Sequence, residues 1–333
     1  MFNQPSKFAD YKDLVNSYLA SFLRRHANGA GRVQPQSLYD PVQYALEGTG
    51  KRLRPVLLLM CCAAHGGEAQ SALPAAAAVE LMHNFTLVHD DIMDRDDTRR
   101  GRPTVHRKWG NDVAILAGDA LVVLAYKSLL ETEGPHLPEL CRLFTDGIIE
   151  ICEGQALDRD FEQDDGVNLQ RYQTMILKKT ARLLAICAQM GARLGGASER
   201  QASILKHFAE HVGLAFQIQD DLLDITVEQA ILGKDFGSDV RRHKRTFLYV
   251  YANEHGHAQQ RRELRDIFRN TEVTDGDILA AQKIFRATGA LVAAEEAVRY
   301  HMKCAHAHLS ESGRLGNAEE FHFFIEMILQ RRA

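Results

Sequence analysis

The stretch FADYKDLVNSYLASF, residues 8–22, decides the fold class. Its apolar positions Phe8, Tyr11, Leu14, Val15, Tyr18, Leu19 and Phe22 recur every three or four residues, the spacing of one helical face. Working outward, helical stretches follow at about 37–47, 55–65, 72–95, 112–132, 137–163, 169–195, 200–226, 240–254, 259–270, 275–287, 289–312 and 317–331. All eight prolines lie at or before position 138, so the remainder lacks the residue that costs roughly 3 kcal/mol inside a helix. Strict apolar–polar alternation is scarce, and Gly and Asn/Asp clusters at 28–31, 66–67, 195–196 and 253–256 punctuate the helices. The fold is read as all-α. A prior of about 150 residues per domain allows two domains, but no composition shift marks a linker, so one domain spanning 1–333 is expected.

Composition narrows the function. With 45% hydrophobic and 25% charged residues, the chain is neither disordered nor fibrous. A net charge of -4 argues against nucleic acid as partner, since phosphate backbones select basic surfaces. Lysine and arginine concentrate instead at 51–54, 99–102 and 241–245, which points to a small anionic ligand. Six cysteines lack CxxC or zinc-ligand spacing, as expected of free thiols in a reducing cytosol. The first residues lack the apolar run of a signal peptide, and the longest apolar run, 56–64, falls short of the roughly 20 residues that cross a bilayer. A cytoplasmic protein without a transmembrane segment is expected.

The chemistry lies in two copies of Asp-Asp-x-x-Asp: Asp90-Asp91-Ile92-Met93-Asp94 and Asp220-Asp221-Leu222-Leu223-Asp224. One copy is expected by chance in only roughly a tenth of chains of this aspartate content, and two disjoint copies far more rarely. Both sit in apolar helical contexts, LMHNFTLVHDDIMD and LAFQIQDDLLD, unlike a solvated charge run. At about 100° per residue, the first and last aspartates of each motif lie about 40° apart on one helical face. Such carboxylates can share or bridge hard cations. Magnesium takes one or two carboxylates and completes its shell with water and phosphate oxygens, so two facing helices of this kind would hold several ions around one diphosphate. Metal-assisted departure of diphosphate is the chemistry that follows.

Cations supply the complement. Arg99 and Arg100 follow the first motif, where guanidinium forks can grip phosphate. Gly50-Lys51-Arg52-Leu53-Arg54-Pro55 precedes an apolar helix, with Pro55 suited to its first turn. His83, seven residues before Asp90, lies about 20° from it on the helical wheel. Gly50-Lys51 and Gly233-Lys234 fail as Walker loops, and the histidines dense at 301–308 form no HExxH and are read as mostly surface.

The segments GTGKRLRP, LMHNFTLVHDDIMDRDDTRRGRPTVH, AGDAL, EGQALD, KKTA, FQIQDDLLD and GKDFGSD, in this order, resemble the trans-isoprenyl diphosphate synthases, the farnesyl and geranylgeranyl diphosphate synthase family. The resemblance is strong over about 40–250. It implies an antiparallel bundle of about a dozen helices around a deep central cavity, and a homodimer. It also implies three magnesium ions, with manganese as a substitute, ligated by Asp90, Asp94 and Asp220 and supported directly or through water by Asp91, Asp221 and Asp224. Arg99, Lys179, Lys234 and Lys244 would hold the allylic diphosphate, with Thr180 and Gln217 at the reacting end. Lys51, Arg54, His83 and Arg100 would hold isopentenyl diphosphate. Ionisation to an allylic cation, attack by the isopentenyl double bond and proton loss make up the implied mechanism, with the released diphosphate as base.

Two positions depart from the pattern: Thr49 and His243 stand where the family usually carries glycine, and His243 puts the reach of Lys244 in question. The basic tail at 330–333 resembles tails that close over the site in some members. Phe85, five residues before the first motif, with Thr86 one turn before Asp90, resembles the pattern of twenty- or fifteen-carbon producers. The motif without insertion fits the twenty-carbon type better. Geranylgeranyl diphosphate is therefore the expected product and farnesyl diphosphate the runner-up. A terpene cyclase would pair one aspartate motif with an Asn/Ser/Glu motif, and a non-catalytic prenyl-diphosphate-binding subunit would lose an aspartate motif or its cations. This chain does neither.

Overall fold

Phe8, Val15, Leu19 and Phe22 are buried along one side of α1 (Ser6–Ala27), as their spacing requires. The computed structural model describes residues 6–27, 35–47, 50–226, 237–312 and 318–329, and helix follows helix through them. After α1 come α2 (Gln36–Leu46), α3 (Leu53–Ala64), α4 (Ala69–Met93), α5 (Val105–Trp109), α6 (Asn111–Leu129) and α7 (Leu137–Phe161). Then come α8 (Leu169–Ile176), a π-helical segment (Leu177–Ala181), α9 (Arg182–Leu194), α10 (Glu199–Thr226) and α11 (Ser238–Arg241). The chain continues through α12 (Phe247–His255), α13 (Ala258–Ile267), α14 (Asp275–Ala287), α15 (Ala290–Glu311) and α16 (Ala318–Leu329). Among the described residues, no helix is long and apolar enough to cross a membrane.

The chain divides into two compact units: residues 1–144, 186–205 and 314–324 form one, and 145–185, 206–313 and 325–333 the other. In the first, α3 is buried along its length from Pro55 to Cys62. Glycine lets α9 lie directly on it, because a Cβ at Gly191 would sit 2.1 Å from the Leu58 carbonyl oxygen. In the second, Phe161, Tyr172, Phe208, Tyr249 and Phe285 are fully buried aromatics of the core. His301 is buried too, unlike the surface reading of its segment: its Nδ1 lies 2.9 Å from that of His211, and burial with the neighbouring charge lowers its pKa to about 4.

Three local departures from the periodicity matter for the site. The stretch 169–195 is not one α-helix; its middle widens into the π segment, which carries Lys179 and Thr180. Two glycines admit the bulge. A Cβ at Gly154 would lie 2.3 Å from the Lys179 amide nitrogen, and one at Gly213 would lie 2.5 Å from the Ala181 Cα. The stretch 240–254 breaks between α11 and α12, where His243 adopts a left-handed φ of 56° and the Thr246 hydroxyl caps α12 by accepting from the Tyr249 amide. Finally, residues 98–103 form an antiparallel ribbon, β1 (Thr98–Arg99) paired with β2 (Arg102–Pro103). Its two-residue turn, Arg100-Gly101, has positive φ at both positions, the backbone twist that suits tight hairpins.

Candidate active site

The first aspartate motif closes α4. Asp90 and Asp94 are half-buried one turn apart, whereas Asp91 turns inward and is buried. Asp91 accepts from Arg99 Nε at 2.5 Å, and Arg99 also approaches Asp96 at 3.5 Å. Burial raises the Asp91 pKa to about 6 against the opposing pull of Arg99. The hairpin therefore delivers Arg99 to the motif through Asp91.

Its turn delivers Arg100 elsewhere. The Arg100 guanidinium rests on Gly50, where an added Cβ would come within 2.8 Å of Nη1. Arg54, on the first turn of α3, directs Nη1 to His83 Nε2 at 3.1 Å. Burial, then the charges of Arg54, Arg100, Arg99 and Arg52, depress the His83 pKa well below the ordinary imidazole value. A neutral ring accepting from Arg54 is the consistent state. Lys51 is exposed between Gly50 and Arg52. Arg52 itself turns away: it is buried against Glu80 at 2.5 Å and donates to Asn16 Oδ1 at 3.0 Å. Of the basic run 51–54, Arg52 secures the N-terminus of α3, while Arg54 joins His83 and Arg100 in a cationic group.

The second motif lies on the last turns of α10. Asp220 is half-buried. Asp221 is buried and accepts from the Tyr172 hydroxyl at 2.6 Å, Gln217 Nε2 at 2.9 Å and the Phe247 amide at 2.9 Å. Burial raises its pKa to about 6. Asp224 accepts from Ser238 Oγ at 2.7 Å and from the Asp239 amide at 3.1 Å, tying α11 to α10. Thr180 Oγ1 donates to Gln217 Oε1 at 2.8 Å, so Thr180, Gln217, Asp221 and Tyr172 form one hydrogen-bonded chain. Lys179 and Lys244 converge on Asp158, at 2.5 and 3.3 Å. His243 does not shorten the reach of Lys244. The left-handed backbone at 243 explains why glycine suits that position, and His243 adopts it at a cost of about 1–2 kcal/mol. Phe85 is half-buried with its ring edge-on to His89 at 4.7 Å, and the Thr86 hydroxyl donates to the His83 carbonyl at 2.8 Å. Lys234, Thr49 and the tail 330–333 lie outside the described residues.

The polyprenyl synthetase family model matches residues 35–285. The chain is 44% identical over 260 residues to a geranylgeranyl diphosphate synthase of Methanosarcina mazei, with 78% of each chain covered. It is 39% identical over 256 residues to a (2E,6E)-farnesyl diphosphate synthase of Mycobacterium tuberculosis, covering 76% of this chain and 71% of the relative. The solved geranylgeranyl pyrophosphate synthetase of Pyrococcus horikoshii superposes with a TM-score of 0.89 at 32% identity over 98% of both chains. The chain belongs to the polyprenyl synthetase family.

Polyprenyl synthetases act on isoprenyl diphosphates and are in general metal-dependent. The outward donors of both motifs here are carboxylate oxygens, which fit a hard divalent cation rather than a thiol-seeking metal. Among the described residues no three or more such side chains are already clustered for a metal. Few protein ligands per ion suits a cation that retains water and binds phosphate oxygens. Three residues of this polyprenyl synthetase escaped the motif reading. Asp158 ends EGQALD without a signature of its own; Tyr172 and Glu80 carry no motif at all. A buried carboxylate held below its usual range by two lysines against the cost of burial, as Asp158 is, has no signature in a single sequence.

Proposed function

We propose that this polyprenyl synthetase condenses isopentenyl diphosphate head-to-tail with dimethylallyl, geranyl and farnesyl diphosphates, and that geranylgeranyl diphosphate is its main product. The observation that carries the reading is the presence of two separate cationic groups: Arg54, His83 and Arg100 in one unit, Lys179 and Lys244 on Asp158 in the other. Two diphosphates, each with its own cations, is what a condensation of two prenyl diphosphates requires.

In this reading Lys51, Arg54, His83 and Arg100 hold isopentenyl diphosphate, and Arg99, Lys179, Lys234 and Lys244 hold the allylic diphosphate. Magnesium, three ions or their manganese equivalents, would be ligated by Asp90, Asp94 and Asp220 and would supply electrostatic relief for the departing diphosphate. Asp91 orients Arg99, Asp221 orients Gln217, and Asp224 fixes α11. Asp158 keeps two lysines charged and aimed. The allylic carbon–oxygen bond breaks with its electrons passing to the diphosphate. The isopentenyl double bond then attacks the cation, and the resulting cation loses a proton to the released diphosphate. Thr180 and Gln217, locked by hydrogen bonds, line the reacting end. Phe85, adjacent to Thr86, limits the growing chain.

The whole chain is taken as one isoprenoid synthase domain acting as a homodimer. An exposed apolar row on α6 and its C-cap (Ile115, Leu116, Val123 and Leu130) supports the dimer, because contiguous exposed apolar surface marks association sites. None of the six cysteines forms a disulfide, which suits a reducing cytoplasm. The test is incubation with isopentenyl diphosphate, each allylic primer and magnesium, followed by chromatographic sizing. A twenty-carbon product is expected from wild type, and longer chains from Phe85→Ala, which empties part of the floor. A farnesyl product would support the fifteen-carbon reading, in line with the Mycobacterium relative; no elongation at all would reject the function.

A further inference from the structure

Many arginines in this protein are matched by carboxylates. Arg182 meets Glu150 and Glu210, and Arg193 meets Glu139. One helix gathers a run of them with far fewer carboxylates. On α13 and just beyond it, Arg261, Arg265 and Arg269 succeed one another every four residues with Arg262 beside them, and all four line a pocket of about 400 Å³ together with Ala258 and Asp266. That volume lies within the roughly 300–1,000 Å³ of small-ligand sites. Arg261 and Arg262 have no ion-pair partner among the described residues. Arg265 gives only Nε to Asn253, at 3.3 Å, and Arg269 bonds Asp165. Like charges one helical turn apart repel, and a single aspartate in the pocket wall does not neutralise four guanidinium groups.

A second observation points the same way. Asp165 also receives the Arg245 guanidinium, at 3.3 Å, so it links the pocket's Arg269 to a deeper cation. Arg245 is 3% exposed, stacks over Tyr249 at 4.2 Å, and leaves Nε and Nη1 without a hydrogen-bond acceptor. The hydroxyl of buried Tyr249 is likewise unpartnered. Charge and donor capacity both exceed what the protein itself satisfies here. These residues are shared with neither aspartate motif nor either cationic group described above.

We propose that the arginine face of α13 is a binding site for a phosphate-bearing anion. Guanidinium forks match phosphate oxygens two at a time, which sets this ligand class above carboxylates or halides. Its source is either a free diphosphate or the headgroup of an anionic lipid. The two are separated by titrating the full-length protein with inorganic diphosphate in chelator, and by co-sedimenting it with phosphatidylcholine vesicles with and without phosphatidylglycerol. The comparison protein is Arg261→Glu/Arg262→Glu, with Arg261→Gln/Arg262→Gln as the milder variant should the first fail to fold.

Wild type is expected to show one more diphosphate site per chain than the variant, or roughly tenfold or greater preference over the variant for phosphatidylglycerol vesicles. A response in the first arm alone assigns the site to a free phosphate, and in the second alone to a headgroup. Indistinguishable binding by wild type and variant in both arms overturns the proposal. Both variants should retain wild-type Michaelis constants for both prenyl substrates. The binding arms need no turnover, so failure of the prenyltransferase reading would leave them interpretable.

Discussion

In the first unit the inward aspartate, Asp91, meets a cation, Arg99; in the second its counterpart, Asp221, meets only neutral donors from Tyr172, Gln217 and the Phe247 amide. Burial lifts both carboxyls to a pKa of about 6. The outer positions differ as well. Asp94 is the C-cap of α4 and half-buried, whereas Asp224 lies inside α10, buried, with its carboxylate spent on Ser238 and Asp239. The first motif thus leaves two carboxylates half-buried, one turn apart, and the second leaves one. An identical five-residue pattern encodes a pair of outward oxygen donors in one place, and in the other a single donor on a rigid hydrogen-bonded base.

The strongest challenge to this comparison is removal of the outward carboxylates. Asp90→Ala and Asp220→Ala should each lower turnover by about 10³-fold, the scale of losing a principal electrostatic contact to a departing charge, with little change in urea midpoint. Turnover within tenfold of wild type in either variant would break the equivalence of the two motifs. Chelation should abolish activity in wild type.

A smaller effect sharpens the division between the cationic groups. Arg54→Ala should raise the Michaelis constant for isopentenyl diphosphate at least about tenfold, as expected from losing a charge-assisted contact. Asp158→Asn should act mainly on the allylic substrate, because Lys179 and Lys244 lose their shared anchor. Steady-state kinetics with each substrate varied in turn decides the matter, and equal shifts on both substrates from both variants would erase the division.

Stability separates the outer aspartates. Asp224→Ala orphans Ser238 Oγ and the Asp239 amide and should cost about 1–3 kcal/mol in urea denaturation. Asp94→Ala, at the half-buried C-cap of α4, should cost less than Asp224→Ala. Equal losses would mean that the two motifs are wired alike. One small effect is a gain: His243→Gly should stabilise the second unit by about 1 kcal/mol, by relieving the left-handed backbone. A loss there would show that the imidazole has a contact worth more than the strain.

Much of this was legible in the chain. The 3–4 spacing of apolar residues located the helices to within a few residues, since burial on one helical face writes itself directly into sequence. Asp90 and Asp220 were legible because charge inside an apolar helix is rare. What stayed hidden shares a physical cause. Arg100-Gly101 forms a hairpin turn without the usual Asn-Gly signal, so residues 98–103 carry no strand or hairpin signature. Leu177–Ala181 has ordinary helix formers, and the widening is admitted by Gly154 and Gly213, which lie at least 23 residues from it in sequence. Asp158 acquires its role only when Lys179 and Lys244 arrive from elsewhere in the chain. Local pattern reveals what a residue prefers; these roles depend on what meets it.

The widened turn at Leu177–Ala181 also has a consequence for how the gene can change length. A π segment holds one more residue than the α-helix it interrupts, so deleting a single residue there would heal the helix into regular α geometry. Because the extra residue is absorbed within the widened turn, the flanking α-helices would keep nearly the same phase, whereas deletion from a regular α stretch rotates one side by about 100° and slides it about 1.5 Å. Tyr172, before the segment, could still meet Asp221 while Arg182, after it, met Glu150 and Glu210. What the deletion removes is the widened turn that carries Lys179 and Thr180. Loss of one residue here should therefore cost the placement of those two side chains far more than it costs the fold.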